Sequence, residues 1–132
     1  MLKRLTYITP ELYWDLPLSE FITVVHGDGN TGKSYIFQKL EEQARAGKLN
    51  VVLIDERNPS VIETLKHRLD CLFVIDNYDE VWGMRPDVVD ILAKTTNQVL
   101  IFGRDFLNFP YDKRFDFVAR RCGRNVIFEP GF

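Results

Sequence analysis

The chain has 132 residues, of which 45% are hydrophobic and 27% are charged, and its formal net charge is −2. These values are typical of one globular domain. They exclude a disordered chain, and they do not indicate nucleic-acid binding, which usually requires a positive excess. No apolar stretch approaches the roughly 20 residues that a membrane helix needs, so no membrane partner is indicated. Two isolated cysteines, Cys71 and Cys122, and the lack of a secretory signal predict a cytoplasmic protein.

Apolar periodicity predicts strands that alternate with helices along the chain. The first 20 residues are predicted to be an extension packed on the core, in which Thr9-Pro10-Glu11 caps one turn of helix and Tyr13 and Trp14 contact the sheet edge. Strands are predicted at residues 21–25, 50–55, 71–76, 98–102 and 125–128. Helices are predicted at 32–46, from Pro59 and Ser60 to about Leu69, at 86–94 and at 112–121, with loops at 77–85 and 104–111.

This alternation favours right-handed crossovers and a mostly parallel sheet. The predicted fold is therefore an α/β three-layer sandwich, in which a five-stranded, mostly parallel sheet carries helices on both faces. The whole chain, residues 1–132, is predicted to form one domain.

A glycine-rich segment follows the first predicted buried strand. Residues 27–34 read Gly-Asp-Gly-Asn-Thr-Gly-Lys-Ser and match GxxxxGK[ST] completely; we call them the phosphate loop. Glycines let backbone N–H groups approach a polyphosphate, and the following helix directs its positive end at the same point. Lys33 adds a charge for the β and γ phosphates, and the Ser34 hydroxyl is placed to coordinate Mg²⁺. The predicted nucleotide-binding residues are Gly27, Asp28, Gly29, Asn30, Thr31, Gly32, Lys33, Ser34 and Tyr35.

A carboxylate is expected opposite this loop to hold the metal. Asp76 follows four apolar residues at the end of a predicted strand, and ligands of parallel sheets bind beyond the carboxyl ends of strands. Asp55 ends the preceding predicted strand in the same way. We prefer Asp76 because the first crossover after such a loop usually leads to a strand farther from it. Ser34 and Asp76 are therefore the predicted Mg²⁺ ligands.

The phosphate loop and Asp76 together resemble the Walker A and Walker B motifs of the P-loop NTPases. The resemblance extends from about residue 20 to residue 128 in the order of strands and helices. Five strands without a lid look like the core of the AAA+ and related additional-strand ATPases. The resemblance implies that ATP and Mg²⁺ are the cofactors and that the chain is an ATPase.

The residue after Asp76 departs from the AAA+ pattern. Many of these proteins have a glutamate there, which polarises the attacking water, whereas this chain has Asn77, which cannot accept a proton. Glu56 and Glu80 are the candidates to replace that glutamate, and Arg104, near the sensor position, is a candidate to contact the γ-phosphate. The predicted catalytic residues are Lys33, Glu56, Glu80 and Arg104.

The N-K-x-D motif that selects GTP does not match residues 94–97, which read Lys-Thr-Thr-Asn, so ATP is favoured. Three functions stay open: a Mg²⁺-dependent ATPase that drives an attached or partner protein, a regulatory nucleotide switch with little or no hydrolysis, and a small-molecule or nucleotide kinase. Arginines near the end of the chain add the hypothesis of an arginine finger that crosses a subunit interface in a homo-oligomer. They are Arg120, Arg121 and Arg124.

Overall fold

The computed structural model describes residues 1–27, 31–103 and 114–131. Its helices are α1 (Lys33–Arg45), a 3₁₀ helix (Pro59–Lys66), α2 (Tyr78–Met84) and α3 (Val88–Lys94). Its strands are β1 (Arg4–Ile8), β2 (Tyr13–Pro17), β3 (Ile22–His26), β4 (Val51–Ile54), β5 (Leu72–Ile75), β6 (Gln98–Gly103), β7 (Arg114–Cys122) and β8 (Asn125–Pro130).

The eight strands of the described residues form one sheet in the order β1-β2-β8-β7-β3-β6-β5-β4. From β7 to β4 in that order neighbouring strands are parallel, whereas β8 is antiparallel to β7 and β1 is antiparallel to β2. The sheet is mixed and curls into a half-barrel that carries four short helices. The prediction of a five-stranded, mostly parallel three-layer sandwich is therefore wrong. The resemblance to a P-loop NTPase core of the AAA+-like, additional-strand type is overturned by the same finding.

The C-terminal hairpin accounts for part of this difference. The sequence predicts a helix over residues 112–121, but Arg114–Cys122 is a strand, in which Phe115, Phe117 and Ala119 recur with the strand period of two. Gly123, which resembles a helix stop in the sequence, has a φ of +64°. It lies in the two-residue loop of the hairpin, because Cys122 pairs directly with Asn125.

The first 17 residues form a second hairpin, so the predicted helical turn at Thr9 is wrong. Thr9 and Leu12 close the turn between β1 and β2 with reciprocal backbone hydrogen bonds of 2.8 and 3.3 Å. The second strand then joins β8 through a single pair, Tyr13 with Asn125. Trp14 is fully buried and packs edge-on against two phenylalanine rings. The N-terminal residues thus add two strands to the sheet.

The segment predicted as a loop at 77–85 is also different. Tyr78–Met84 forms α2, and Asn77 precedes it in left-handed backbone with a φ of +48°, which Asn tolerates better than most residues. Tyr78 and Val81 are buried and fasten this short helix to the sheet. As a result α2 begins close behind β5, at the same edge of the sheet as the phosphate loop.

The other predicted strands and helices are confirmed to within a few residues, although the helix after Pro59 is a 3₁₀ helix that ends before Leu69. The loop predicted at 104–111 lies outside the described residues. Successive side chains of the central strands enter two separate core clusters, as expected for a sheet that is buried on both faces. One cluster contains α1 with residues of both hairpins, and the other contains the 3₁₀ helix, α2 and α3. None of the helices in the described residues combines the length and the apolar character required to cross a bilayer.

Candidate functional site

Four parallel strands end at one edge of the sheet. The last residue of β3 pairs with the last residue of β6, the last residue of β5 pairs with that of β4, and β5 ends two residues short of β6. Since the strands run in one direction, the residues that end or follow them lie together: Gly27, Gly103, Asp76 and Asp55. Sheets of this kind bind ligands at the carboxyl edge, so this edge is the candidate site.

The described part of the phosphate loop has the backbone that its glycines allow. Gly32 precedes α1 in left-handed backbone with a φ of +92° and accepts the Ile36 N–H bond of 3.0 Å that starts the helix. A side chain at Gly27 would lie 3.1 Å from the Ala119 carbonyl oxygen and 3.2 Å from Thr31. Only glycine fits either position without strain or displacement of a neighbour. The predicted site residues Asp28, Gly29, Asn30 and Arg104 lie outside the described residues.

Lys33 is the first residue of α1, and its side chain turns back towards the strand end. Its Nζ donates hydrogen bonds to the Gly27 carbonyl oxygen at 2.6 Å and to Thr31 Oγ1 at 3.2 Å. Lys33 is only 8% exposed and Thr31 only 2%. The charge of the Lys33 ammonium group therefore lies in a poorly solvated pocket at the N-terminus of α1. Such a pocket favours the binding of an anion.

A cavity of about 240 Å³ lies between the start of α1 and the start of α2. It brings together the predicted residues Lys33, Ser34, Asp76 and Glu80, which come from two separate parts of the chain. Ser34 is exposed, so its hydroxyl is accessible to a ligand. The other described residues that line it are Asn77, Asp79, Phe102 and Gly103.

The carboxylate of Asp76 lies in an environment that disfavours its charge. Burial raises the pKa of Asp76, and the nearby carboxylates of Glu56 and Asp55 raise it further. The backbone N–H of Asn77, which donates to Asp76 Oδ1 at 3.0 Å, and the charge of Lys33 act in the opposite direction. A cation bound in the cavity would relieve this electrostatic cost.

Asn77 connects Asp76 with a second carboxylate. Its side-chain Nδ2 donates to Glu56 Oε2 at 2.9 Å, while its backbone N–H binds Asp76. Glu56 is half-buried beyond the end of β4, whereas Glu80 is exposed on α2. Both predicted glutamates are therefore near Asp76, but only Glu56 is held in place by a hydrogen bond from Asn77.

The residues present fit magnesium better than a metal held by protein alone. Within the described ranges no three His, Cys, Asp or Glu side chains form a metal-holding group. Mg²⁺ usually keeps several waters and uses one or two carboxylates together with substrate phosphates. Ser34 and Asp76 supply oxygen atoms of the required kind on the same cavity.

Asp55, the rival of Asp76 in the sequence, is already engaged. It is 5% exposed, and its carboxylate accepts hydrogen bonds from the Arg57 side-chain Nε at 2.8 Å and from the Arg57 backbone N–H at 2.9 Å. It does not line the cavity that contains Lys33. The structure thus favours Asp76 as the carboxylate of the site.

Two neighbours of the site are not apparent from the sequence. His26 is buried, and its Nε2 lies 3.1 Å from Asp116 Oδ2 on β7. Leu12, in the N-terminal turn, lies against Gly32. Neither contact could be found without knowing that β7 is a strand and that the first residues join the sheet. Tyr35, predicted to contact nucleotide, is half-buried with the Lys39 Nζ 5.3 Å from its ring centre.

The three C-terminal arginines make contacts within the chain. Arg120 binds Glu129 at 2.9 Å, Arg121 donates to the carbonyl oxygens of Gly123 and Glu11, and Arg124 donates to that of Thr9. Their role as an arginine finger in an oligomer stays a prediction.

A larger cavity, of about 540 Å³, lies at the other edge of the sheet between the 3₁₀ helix and α3. Its walls carry charges of both signs, including Lys66, Asp87, Asp90 and Lys94. None of its described lining residues is a glycine, whereas the smaller cavity lies at the end of the glycine-rich phosphate loop. Chemistry therefore favours the smaller cavity beside Lys33.

Comparison of the chain with models of known protein families gives no match, and comparison with curated protein sequences gives none either.

Proposed function

We propose that the chain binds ATP together with Mg²⁺ at the phosphate loop and hydrolyses it. The observation that carries this proposal is the single cavity that joins Lys33 and Ser34, at the start of α1, to Asp76, at the end of β5. A confined positive charge and a half-buried carboxylate that line one cavity suit a ligand that is a polyanion bridged to a divalent cation.

Each residue then has a defined task. The backbone N–H groups at the start of α1 and the ammonium of Lys33 bind the phosphates. Ser34 and Asp76 hold the magnesium ion, which when bound neutralises charge on the phosphate oxygens. The Gly27 carbonyl, which accepts from Lys33 Nζ at 2.6 Å, positions the ammonium beside the loop before the nucleotide arrives.

Glu56 is the preferred group to orient the attacking water. The amide of Asn77 holds one of its oxygens, so the carboxylate keeps a defined direction and retains acceptor capacity on the other oxygen. Glu80 lines the cavity from α2 and is the alternative. A base must lie within hydrogen-bonding reach of the water that it activates. Glu80 lines the cavity directly, whereas Glu56 lies behind Asn77, which lines it.

The proposed preference for adenine over guanine rests on the location of residues 94–97, the segment compared above with the GTP-selecting N-K-x-D motif. This segment precedes β6 and therefore lies at the amino edge of the sheet, opposite the phosphate loop. Asn97 is 4% exposed, and its side chain donates to the Arg68 carbonyl oxygen at 2.7 Å. It is therefore unsuited to read a guanine base, and we propose ATP rather than GTP.

The proposal is tested by thermal unfolding with Mg-ATP and by a phosphate-release assay. Ligand at about one hundred times its dissociation constant should stabilise the wild type by roughly 2.7 kcal/mol. Lys33→Ala should lose both the stabilisation and the turnover. Lys48→Ala removes the same charge from an exposed position beyond α1 and should keep both. A wild type that Mg-ATP does not stabilise would refute the proposal.

A regulatory switch with little hydrolysis is the second candidate, because the position after Asp76 is Asn77. Binding of Mg-ATP without phosphate release would select the switch over the ATPase. No observation in the described residues favours the kinase alternative, since α2 and α3 pack onto the sheet.

A reducing compartment such as the cytoplasm is proposed as well. Cys71 is buried and Cys122 is exposed, and neither is in a disulfide. Titration with a thiol reagent under non-reducing conditions should detect one accessible thiol in the folded protein and two after unfolding.

A further inference from the structure

The turn between β1 and β2 lies directly against the phosphate loop. Leu12 is 2% exposed, and a side chain added at Gly32 would meet its Cδ2 at 3.0 Å and its Cδ1 at 3.2 Å. The isobutyl group of Leu12 thus fills the space beside the glycine that starts α1. This glycine has the left-handed backbone on which the direction of the helix N-terminus depends.

The C-terminal hairpin forms hydrogen bonds with the other side of the turn. Arg124 donates from Nη2 to the Thr9 carbonyl oxygen at 2.9 Å, and Arg121 donates from Nη2 to that of Glu11 at 3.0 Å. The Tyr13 backbone N–H donates to the Arg124 carbonyl oxygen at 2.7 Å. Since β2 and β8 share only one residue pair, these contacts hold the turn in place.

The opposite end of the loop rests on the same part of the sheet. A side chain at Gly27 would lie 3.1 Å from the carbonyl oxygen of Ala119, on β7. Both described ends of the loop are therefore supported by the strands that the sequence does not predict. The cavity with Asp76 opens between α1 and α2, and neither Leu12 nor Ala119 lines it.

We infer that the turn at residues 9–12 positions Gly32 and the N-terminus of α1 for nucleotide, with Leu12 as the residue that holds Gly32 in place. This inference rests on the proposed function. Gly32 has wide conformational freedom, and without Leu12 its left-handed conformation loses its support. The helix amides and Lys33 would then be correctly directed only part of the time. The apparent dissociation constant rises in inverse proportion to that fraction.

The first test compares two leucines of the same hairpin. Leu12→Ala and Leu16→Ala remove the same group from buried positions in one core cluster, but the nearest atoms to a side chain at Gly32 belong to Leu12 alone. Mg-ATP affinity is measured by calorimetry at a temperature where circular dichroism shows both variants folded. Leu12→Ala should weaken binding about tenfold more than Leu16→Ala, and Leu12→Met should restore most of the affinity. Equal affinities in the two alanine variants would overturn the inference.

A second pair covers the case in which a leucine variant does not fold. Arg124→Ala removes an exposed side chain that binds the turn, and Arg4→Ala removes an exposed arginine of the N-terminal hairpin that binds Asp15 instead. Arg124→Ala should weaken Mg-ATP binding severalfold, while Arg4→Ala should leave it unchanged. The same affinity in both arginine variants would contradict a positioning role for the turn.

Amide hydrogen exchange of the protein without nucleotide separates this inference from the proposed function. Leu12→Ala should accelerate exchange at Thr31, Lys33 and Ile36 more than Leu16→Ala does, whether or not the protein binds ATP. A wild type that ignores Mg-ATP but shows this exchange pattern would refute the proposed function and support the coupling of turn and loop. Unchanged exchange at these amides would overturn the coupling itself.

Discussion

Replacing Gly32 with alanine measures how tightly the loop is held. Its φ of +92° is a conformation that costs a residue with a side chain about 1–2 kcal/mol. The new methyl group would also lie 3.0 Å from Leu12 Cδ2, in a site where Leu12 is 2% exposed and has little room to move. Overpacking of this kind adds about 1 kcal/mol. We therefore expect Gly32→Ala to lower the free energy of unfolding by about 2–3 kcal/mol.

Two glycines of the same chain serve as matched controls. Gly47 also has a positive φ, of +69°, but a side chain there would meet no atom within 4 Å, so Gly47→Ala should cost only the backbone strain of about 1–2 kcal/mol. Gly83 lies in α2 with open space around it, and Gly83→Ala should stabilise the protein by about 0.5–1 kcal/mol. Alanine restricts the unfolded chain similarly in all three variants, so this contribution cancels in the comparison.

The assay is urea unfolding followed by tryptophan fluorescence, with the free energy extrapolated to water. The contact is isolated by repeating Gly32→Ala in the Leu12→Ala background, where its cost should fall by about 1 kcal/mol because the clashing methyl groups are gone. If Gly32→Ala costs no more than Gly47→Ala, or if the double variant shows no coupling, the packing of Leu12 on the loop is not as described.

Three further predictions concern titratable groups. Glu56→Gln should reduce the rate of phosphate release at least about tenfold with little change in Mg-ATP affinity, whereas Glu80→Gln should leave that rate unchanged. If only Glu80→Gln reduces the rate, the water-orienting role belongs to Glu80. The pKa of Asp76 is raised in the folded state, mainly by burial, so its contribution to stability is complete in acid and is lost as pH rises through that pKa. Asp76→Asn should therefore be more stable than wild type at neutral pH but not in acid, as urea unfolding at several pH values would reveal. Burial raises the pKa of Tyr7 from 10.0 to about 12. Stability should fall as pH rises between these values, and Tyr7→Phe should remove one phenolate signal near the upper value from an ultraviolet titration.

Strands and helices with a strong local signal could be predicted from the sequence. The unbroken apolar runs of β3, β5 and β6 require burial on both faces, and a parallel strand in the middle of a sheet meets that requirement. The apolar face of α1, with Ile36, Phe37 and Leu40, has only one plausible period. These elements are specified by residues that are close in sequence, and for this reason the sequence predicts them.

The sequence does not predict the two hairpins, because the residue pattern of each segment suits more than one kind of secondary structure. The segment 112–121 contains four arginines or lysines among its apolar residues, which suits an exposed helix as well as a half-exposed strand. The segment forms a strand because it pairs with β3 on one side and with β8 on the other. In the same way, Thr9-Pro10-Glu11 starts a helix as readily as it forms a turn. The partner strand that selects the turn lies more than a hundred residues away at Asn125.

Predicting the candidate site requires fewer correctly assigned elements than predicting the whole fold. It needs the loop before α1, which is local in sequence, and the common direction of β3, β5 and β6, which places Asp76 at the same edge. The unpredicted hairpins extend the sheet beyond β3, away from β6 and β5, so they do not alter the cavity. Their effect is on the back of the loop, where Leu12 and Ala119 lie against its glycines. Sequence patterns can therefore propose which groups meet a nucleotide, whereas the residues that hold those groups in position come from long-range pairing that no local pattern encodes.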